Sequence, residues 1–144
     1  MSAPYTGRCA CGAVEVTFAG EPVATRQCWC RQCQVISSGN ASTNAIFKVA
    51  DATITGELGQ SAWTASTGNT LTHMFCPSCG TQVYGQSSGR QHLMAVRFGI
   101  LDEGHGLRPQ AAIWTQDAPD WATFDPELER WPANPASPSL PPAD

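Results

Sequence analysis

Apolar and polar positions alternate over short distances along most of this chain, and few stretches keep a helical period. In residues 13–18, Val14, Val16 and Phe18 fall on one side of a period-2 pattern, and Gly20-Glu21-Pro22 turns the chain. Weaker strand patterns cover 23–27, 45–49, 52–55 and 62–65, with 37–40 a loop by composition and Gly68-Asn69 a turn. Further strands are expected at 70–75, 81–84 and 93–98, the last ended by Gly99. Residues 1–8 read as an exposed lead-in. One short helix is expected at 126–131, capped by Asp125 with Pro126 in its first turn. Many short β-type runs bounded by Gly, Asn or Pro predict an all-β domain of antiparallel strands over residues 1–131. The remainder, 132–144, is too rich in proline to build a core and is expected to be a disordered tail.

A chain of 144 residues buries about 68% of its unfolded surface, so size alone does not require a metal to hold it together. The net charge is −4 with eight Lys and Arg and no basic run, which argues against nucleic acid, whose phosphates demand clustered cations. No apolar run reaches the roughly 18 residues that span a bilayer, so no membrane partner is expected. The first residues carry neither a basic nor an apolar signal region. A cytoplasmic, reducing location is therefore expected, where free thiols outnumber disulfides.

That expectation changes how the seven cysteines are read. An odd count cannot pair completely, and the spacings are those of metal ligands. Cys9 and Cys11 emerge on one face of an extended segment. Cys76-Pro77-Ser78-Cys79-Gly80 is a knuckle whose proline stiffens the tip and whose glycine allows the exit turn. Neither pair satisfies tetrahedral zinc alone, and together they do. A redox C-x-x-C competes poorly, because such motifs open helices in α/β chains and no βαβ alternation is present.

Cys28, Cys30 and Cys33 form a C-x-C-x-x-C run, with a turn through Arg31-Gln32 bringing the third thiol to the first two. Three thiolates leave zinc one ligand short, the mark of a catalytic site. A soft, net-negative site of this kind favours a thiol substrate. Two alternatives stay open: a closed structural zinc completed by His73, His92 or His105, and redox cycling among the three thiols.

Gly7-Arg8-Cys9-Ala10-Cys11-Gly12, Cys28-Trp29-Cys30-Arg31-Gln32-Cys33, Ser66-Thr67-Gly68-Asn69 and Phe75-Cys76-Pro77-Ser78-Cys79-Gly80 occur in this order. With Ala95-Val96-Arg97-Phe98-Gly99-Ile100-Leu101-Asp102 and Ile113-Trp114, they make residues 5–131 resemble the glutathione-dependent formaldehyde-activating enzymes, a group that includes the centromere protein V-like domains. The resemblance implies a β-tent zinc fold with short helical turns and two zinc ions per chain. A structural zinc would sit on Cys9, Cys11, Cys76 and Cys79, and a catalytic zinc on Cys28, Cys30 and Cys33. The implied activity is a carbon–sulfur lyase that condenses glutathione with formaldehyde to S-hydroxymethylglutathione, or acts on a related thiol adduct. The alternative is a zinc-stabilised binding module without chemistry; a zinc sulfoxide reductase fits the C-x-C motifs poorly. One departure stands out: the family commonly places histidine between the first two cysteines of the trio, where this chain has Trp29. Glutathione carries two carboxylates, so an arginine contact is expected. Arg31 is the first choice, with Arg26 and Arg97 behind it.

Overall fold

The computed structural model of the chain describes residues 2–135, 140 and 141. Eleven strands and one α-helix are present among them, so the all-β expectation holds. β1 (Tyr5–Arg8), β2 (Glu15–Phe18) and β5 (Ala52–Thr55) make an antiparallel sheet in the order β1-β2-β5. The other eight are β3 (Ala24–Cys28), β4 (Ser42–Lys48), β6 (Gly59–Thr64), β7 (Thr70–Phe75), β8 (Gln82–Ser87), β9 (Leu93–Arg97), β10 (Ala111–Ile113) and β11 (Glu129–Arg130). They form one sheet in the order β11-β10-β3-β4-β9-β8-β7-β6. α1 (Arg31–Ile36) lies between β3 and β4. No described helix is long and apolar enough to cross a membrane.

The two sheets share one core. Alternation along β2 buries Val16 and Phe18 on one face and leaves Glu15 and Thr17 exposed. Those apolar residues meet Ala45 and Phe47 of β4, Met94 and Val96 of β9, and Val83 of β8. Phe18 and Phe47 stack across the gap with ring centroids 4.1 Å apart and planes 11° from parallel, and Tyr5 tilts against Phe47 at 5.8 Å. The opposite face of the large sheet is different in kind. Strand register sets Arg26 beside Asn44 and Asn44 beside Arg97, while Cys28 sits beside Ser42. Side chains two apart share a face, so all five point away from the Phe47 core.

Three expectations need correction. Residues 5–8 are not a lead-in: Tyr5 and Gly7 are buried, and β1 pairs along its length with β2. Gly7 bridges to Leu101, and a Cβ there would lie 2.1 Å from the Ile100 carbonyl oxygen. The helix at 126–131 is absent. Asp125 Oδ1 accepts the Glu127 N–H at 2.9 Å and the Leu128 N–H reaches the Asp125 carbonyl at 3.1 Å, but only one turn forms. The chain then becomes β11, whose flanking N–H groups bond to Gln110 and Ala112 of the β10 segment. A six-residue helix is too short to compete with that ladder. Both pairings of β10, to β3 and to β11, are parallel, so the large sheet is mixed at this end.

Beyond the expected boundary at 131, Pro132 and Ala133 accept N–H bonds from Gln116 and Trp114, and Asn134 Oδ1 accepts the Trp114 indole N–H at 3.0 Å. Most of the expected tail, 136–139 and 142–144, lies outside the described residues.

Because Phe47 touches both Phe18 and Tyr5, truncating it opens a cavity where the sheets meet. Phe47→Ala is expected to cost about 3–5 kcal/mol, seen as a lowered urea midpoint with an unchanged denaturant slope.

Candidate metal centres

The β1–β2 and β7–β8 connections face each other at one end of the molecule. Cys9 directly follows β1, and its N–H bonds to the Val14 carbonyl at 3.0 Å while Gly12 N–H returns to the Cys9 carbonyl at 3.0 Å. The second knuckle repeats this plan: Cys76 N–H to Thr81 O at 3.0 Å, and Gly80 N–H to Cys76 O at 2.8 Å. Gly12 and Gly80 take φ of 80° and 77°, a left-handed turn that side chains resist. Both glycines are therefore turn requirements of the two thiol pairs.

The four sulfurs lie within 4.8 Å of one another. Cys9 and Cys11 Sγ are 3.6 Å apart and Cys11 and Cys76 Sγ 3.8 Å. A tetrahedron with Zn–S bonds of about 2.3 Å has edges of roughly 3.8 Å, so zinc fits this quartet. Thr81 escaped the sequence reading. Its hydroxyl accepts the Ala10 N–H at 3.1 Å and lies 3.1 Å from Cys79 Sγ, tying one knuckle to the other. These contacts, with the Thr81 hydroxyl first, draw the Cys79 thiol down to about 5. A metal held here joins the small sheet to the large one.

The central trio is built differently. Cys28 is the last residue of β3, Cys30 caps the N-terminus of α1, and Cys33 lies in its first turn. The expected turn through Arg31-Gln32 is thus the opening of a helix, with Cys33 N–H pointing at Cys30 Sγ at 3.4 Å. Sulfur replaces the usual capping oxygen. Hydrogen bonds from the Cys28 and Cys33 thiols, with backbone N–H groups of the first turn, hold Cys30 far below the ordinary thiol range. Cys28 is pushed up by the same bonds and by burial.

These three sulfurs also lie within 4.8 Å of one another, a spacing that accommodates one zinc ion. Among the described residues no His, Asp or Glu joins them at that distance. The three histidines are engaged elsewhere: His105 Nδ1 accepts the Leu107 N–H at 2.9 Å, and His92 Nε2 lies 2.9 Å from the Pro141 carbonyl. His73 is buried edge-on to Trp63 at 4.2 Å. Burial and the charge of Arg97 lower it to about 4, so it is neutral near pH 7.

Neighbouring side chains fix the trio in place. Gln34, buried in α1, donates to the carbonyls of Trp29 and Asp117 at 2.8 Å each. Trp29 is 2% exposed and packs on Phe124 at 5.7 Å. It is a core residue, with no acceptor for its indole N–H among the described residues. Arg31 is exposed and donates to Gln34 Oε1 at 3.2 Å. Arg26 is buried on β3. Burial draws the guanidinium of Arg97, on β9, down, and the neighbouring Cys33, Cys28 and Cys30 sulfurs oppose that shift.

Two sheets clasped at one end by four thiols, with three more on the outer face of the larger sheet, define a β protein with two clusters of metal-ligand geometry. A family model described as glutathione-dependent formaldehyde-activating enzyme matches residues 4–117, and the chain belongs to this family. A crystal structure of a Rhodobacter sphaeroides protein from structural genomics is similar in fold, with a TM-score of 0.54 at 23% identity over 88% of this chain and 98% of that one. No curated protein matches the chain.

The two clusters predict different responses to serine. Cys76→Ser is expected to lose one zinc and to unfold at much lower denaturant, because it unclasps the sheets. Cys30→Ser is expected to lose the other zinc and to keep most of the stability. Metal analysis and urea unfolding on the same samples check both.

Proposed function

We propose that this chain is a zinc-dependent carbon–sulfur lyase that joins a thiol to a small carbonyl compound and releases the two again, with glutathione and formaldehyde as the pair. The observation carrying this reading is the trio of sulfurs, to which no fourth protein ligand is added among the described residues. Family membership supplies the choice of glutathione. Zinc held by Cys28, Cys30 and Cys33 would supply a soft Lewis acid that favours the thiolate form of an incoming thiol.

The chain's own residues do the remaining work. The substrate sulfur attacks the carbonyl carbon, the C=O π pair moves to oxygen, and the proton lost by the thiol ends on that oxygen. The Ser42 hydroxyl, on the residue that pairs with Cys28 across the strands, is the donor we assign to the developing alkoxide, a contact that tightens as charge grows. The cationic Arg97 offsets the negative charge gathered at three thiolates and an anionic substrate. Buried Trp29 and Gln34 hold the Cys30 loop rigid, which keeps the sulfurs at their spacing.

The test is the rate of hemithioacetal formation from glutathione and formaldehyde, followed by NMR above the uncatalysed background. Changing a residue that merely supports a metal ligand typically costs about 10–100-fold, so removing a ligand itself with Cys30→Ser is expected to cost more than about 100-fold. A wild-type rate equal to background, with two zinc ions bound, would favour a binding module.

A further inference from the structure

A cavity of about 360 Å³ opens beside the trio, within the size range of small-molecule sites. Ser42 and Ser37 line the side towards the cysteines, and Gln82, Arg97 and Phe98 line the other. Ser42 belongs to both places, since it pairs with Cys28 across the strands. Ser42 therefore stands between the cavity and the cysteine corner.

Two of its lining side chains carry buried polar atoms with no hydrogen-bond partner among the described residues: Arg97 Nε and Gln82 Oε1. Such atoms are uncommon in folded proteins, because leaving one unpaired costs the full desolvation of the group. One is a donor on a cation and the other an acceptor on a neutral amide, and the side chains that carry them line the same cavity. Arg97 is also held in place. Its Nη1 donates to Asn44 Oδ1 at 2.7 Å, and its Nη2 lies over Gly85, where a Cβ would come within 3.2 Å of it. No carboxylate pairs with it among the described residues, whose one ion pair of this kind joins Arg108 to Asp125. A fixed guanidinium with a spare N–H and an amide with a spare carbonyl oxygen, on one cavity wall, suit a ligand that offers an anion and an N–H close together.

We propose that Arg97 and Gln82 form a subsite for an α-amido or α-amino carboxylate, with Arg97 taking the carboxylate and Gln82 Oε1 accepting the N–H one carbon away. The proposal rests on the thiol-substrate reading above, because the subsite adjoins the cysteine trio and would orient the thiol presented there. Both ends of a γ-glutamyl tripeptide thiol carry this chemistry. The glycyl end has an amide N–H and the glutamyl end an ammonium.

Calorimetric titration of the two-zinc protein with three thiols separates these sources. N-acetylcysteinylglycine keeps only the glycyl carboxylate, glutathione amide keeps only the glutamyl one, and N-acetylcysteine amide keeps neither. One charged probe is expected to bind about 10- to 100-fold tighter than the neutral probe, the value of a charge-assisted hydrogen bond, and identifies the end that is held. Arg97→Met should collapse that ratio to about one, and Gln82→Met should reduce it in part. Wild-type protein that binds charged and neutral thiols equally, or a ratio that survives both variants, overturns the subsite and leaves thiol binding intact. If none of the three thiols binds, the thiol reading fails and takes the subsite with it.

Discussion

Thiolates crowded within 4.8 Å of one another repel strongly unless a cation sits among them, and this repulsion governs how both ends of the molecule are built. In the outer quartet the backbone supplies two knuckles and Thr81 bonds across them. In the central trio the helix start gathers the sulfurs around Cys30. At each place the fold brings together groups that, ionised, would force the chain apart. A bound metal turns that liability into cohesion, and its binding free energy becomes folding free energy.

The two clusters use the same ligand in opposite ways. Four sulfurs drawn from two sheets have the spacing of a metal tetrahedron, and a metal held there would lock the sheets together at the edge of the Phe18–Phe47 core. Three sulfurs from a single strand–helix corner hold nothing else in register. None of the three belongs to the two-sheet core cluster, so this corner is free to serve chemistry. Arg26, Asn44 and Arg97 form a polar row on the same face, which a purely structural face would fill with apolar side chains.

The seven cysteines, their division into four and three, and most strands were legible because each rests on local signals: thiol spacing, period-2 alternation and flanking turns. What escaped depends on distant partners. Tyr5–Arg8 looks like a free end until β2 and Leu101 are beside it. The stretch 126–131 has a cap and a proline suited to a helix, and only the β10 edge makes a strand preferable. Gln82 and Arg97 are separated by fifteen positions and share a cavity only because β8 and β9 are neighbours. Arg31, named for a substrate contact from its position between Cys30 and Cys33, lies exposed on α1 and bonds to Gln34.

The central claim is that the Cys28–Cys30–Cys33 site accepts a sulfur from outside the protein. X-ray absorption at the zinc edge tests it most directly, on the two-zinc protein before and after glutathione is added. The account predicts a mixed shell at first, averaging between three and four sulfurs per zinc with a light-atom remainder, and an all-sulfur shell once the thiol is present. A spectrum unchanged by glutathione, with a nitrogen or oxygen ligand retained, would contradict it.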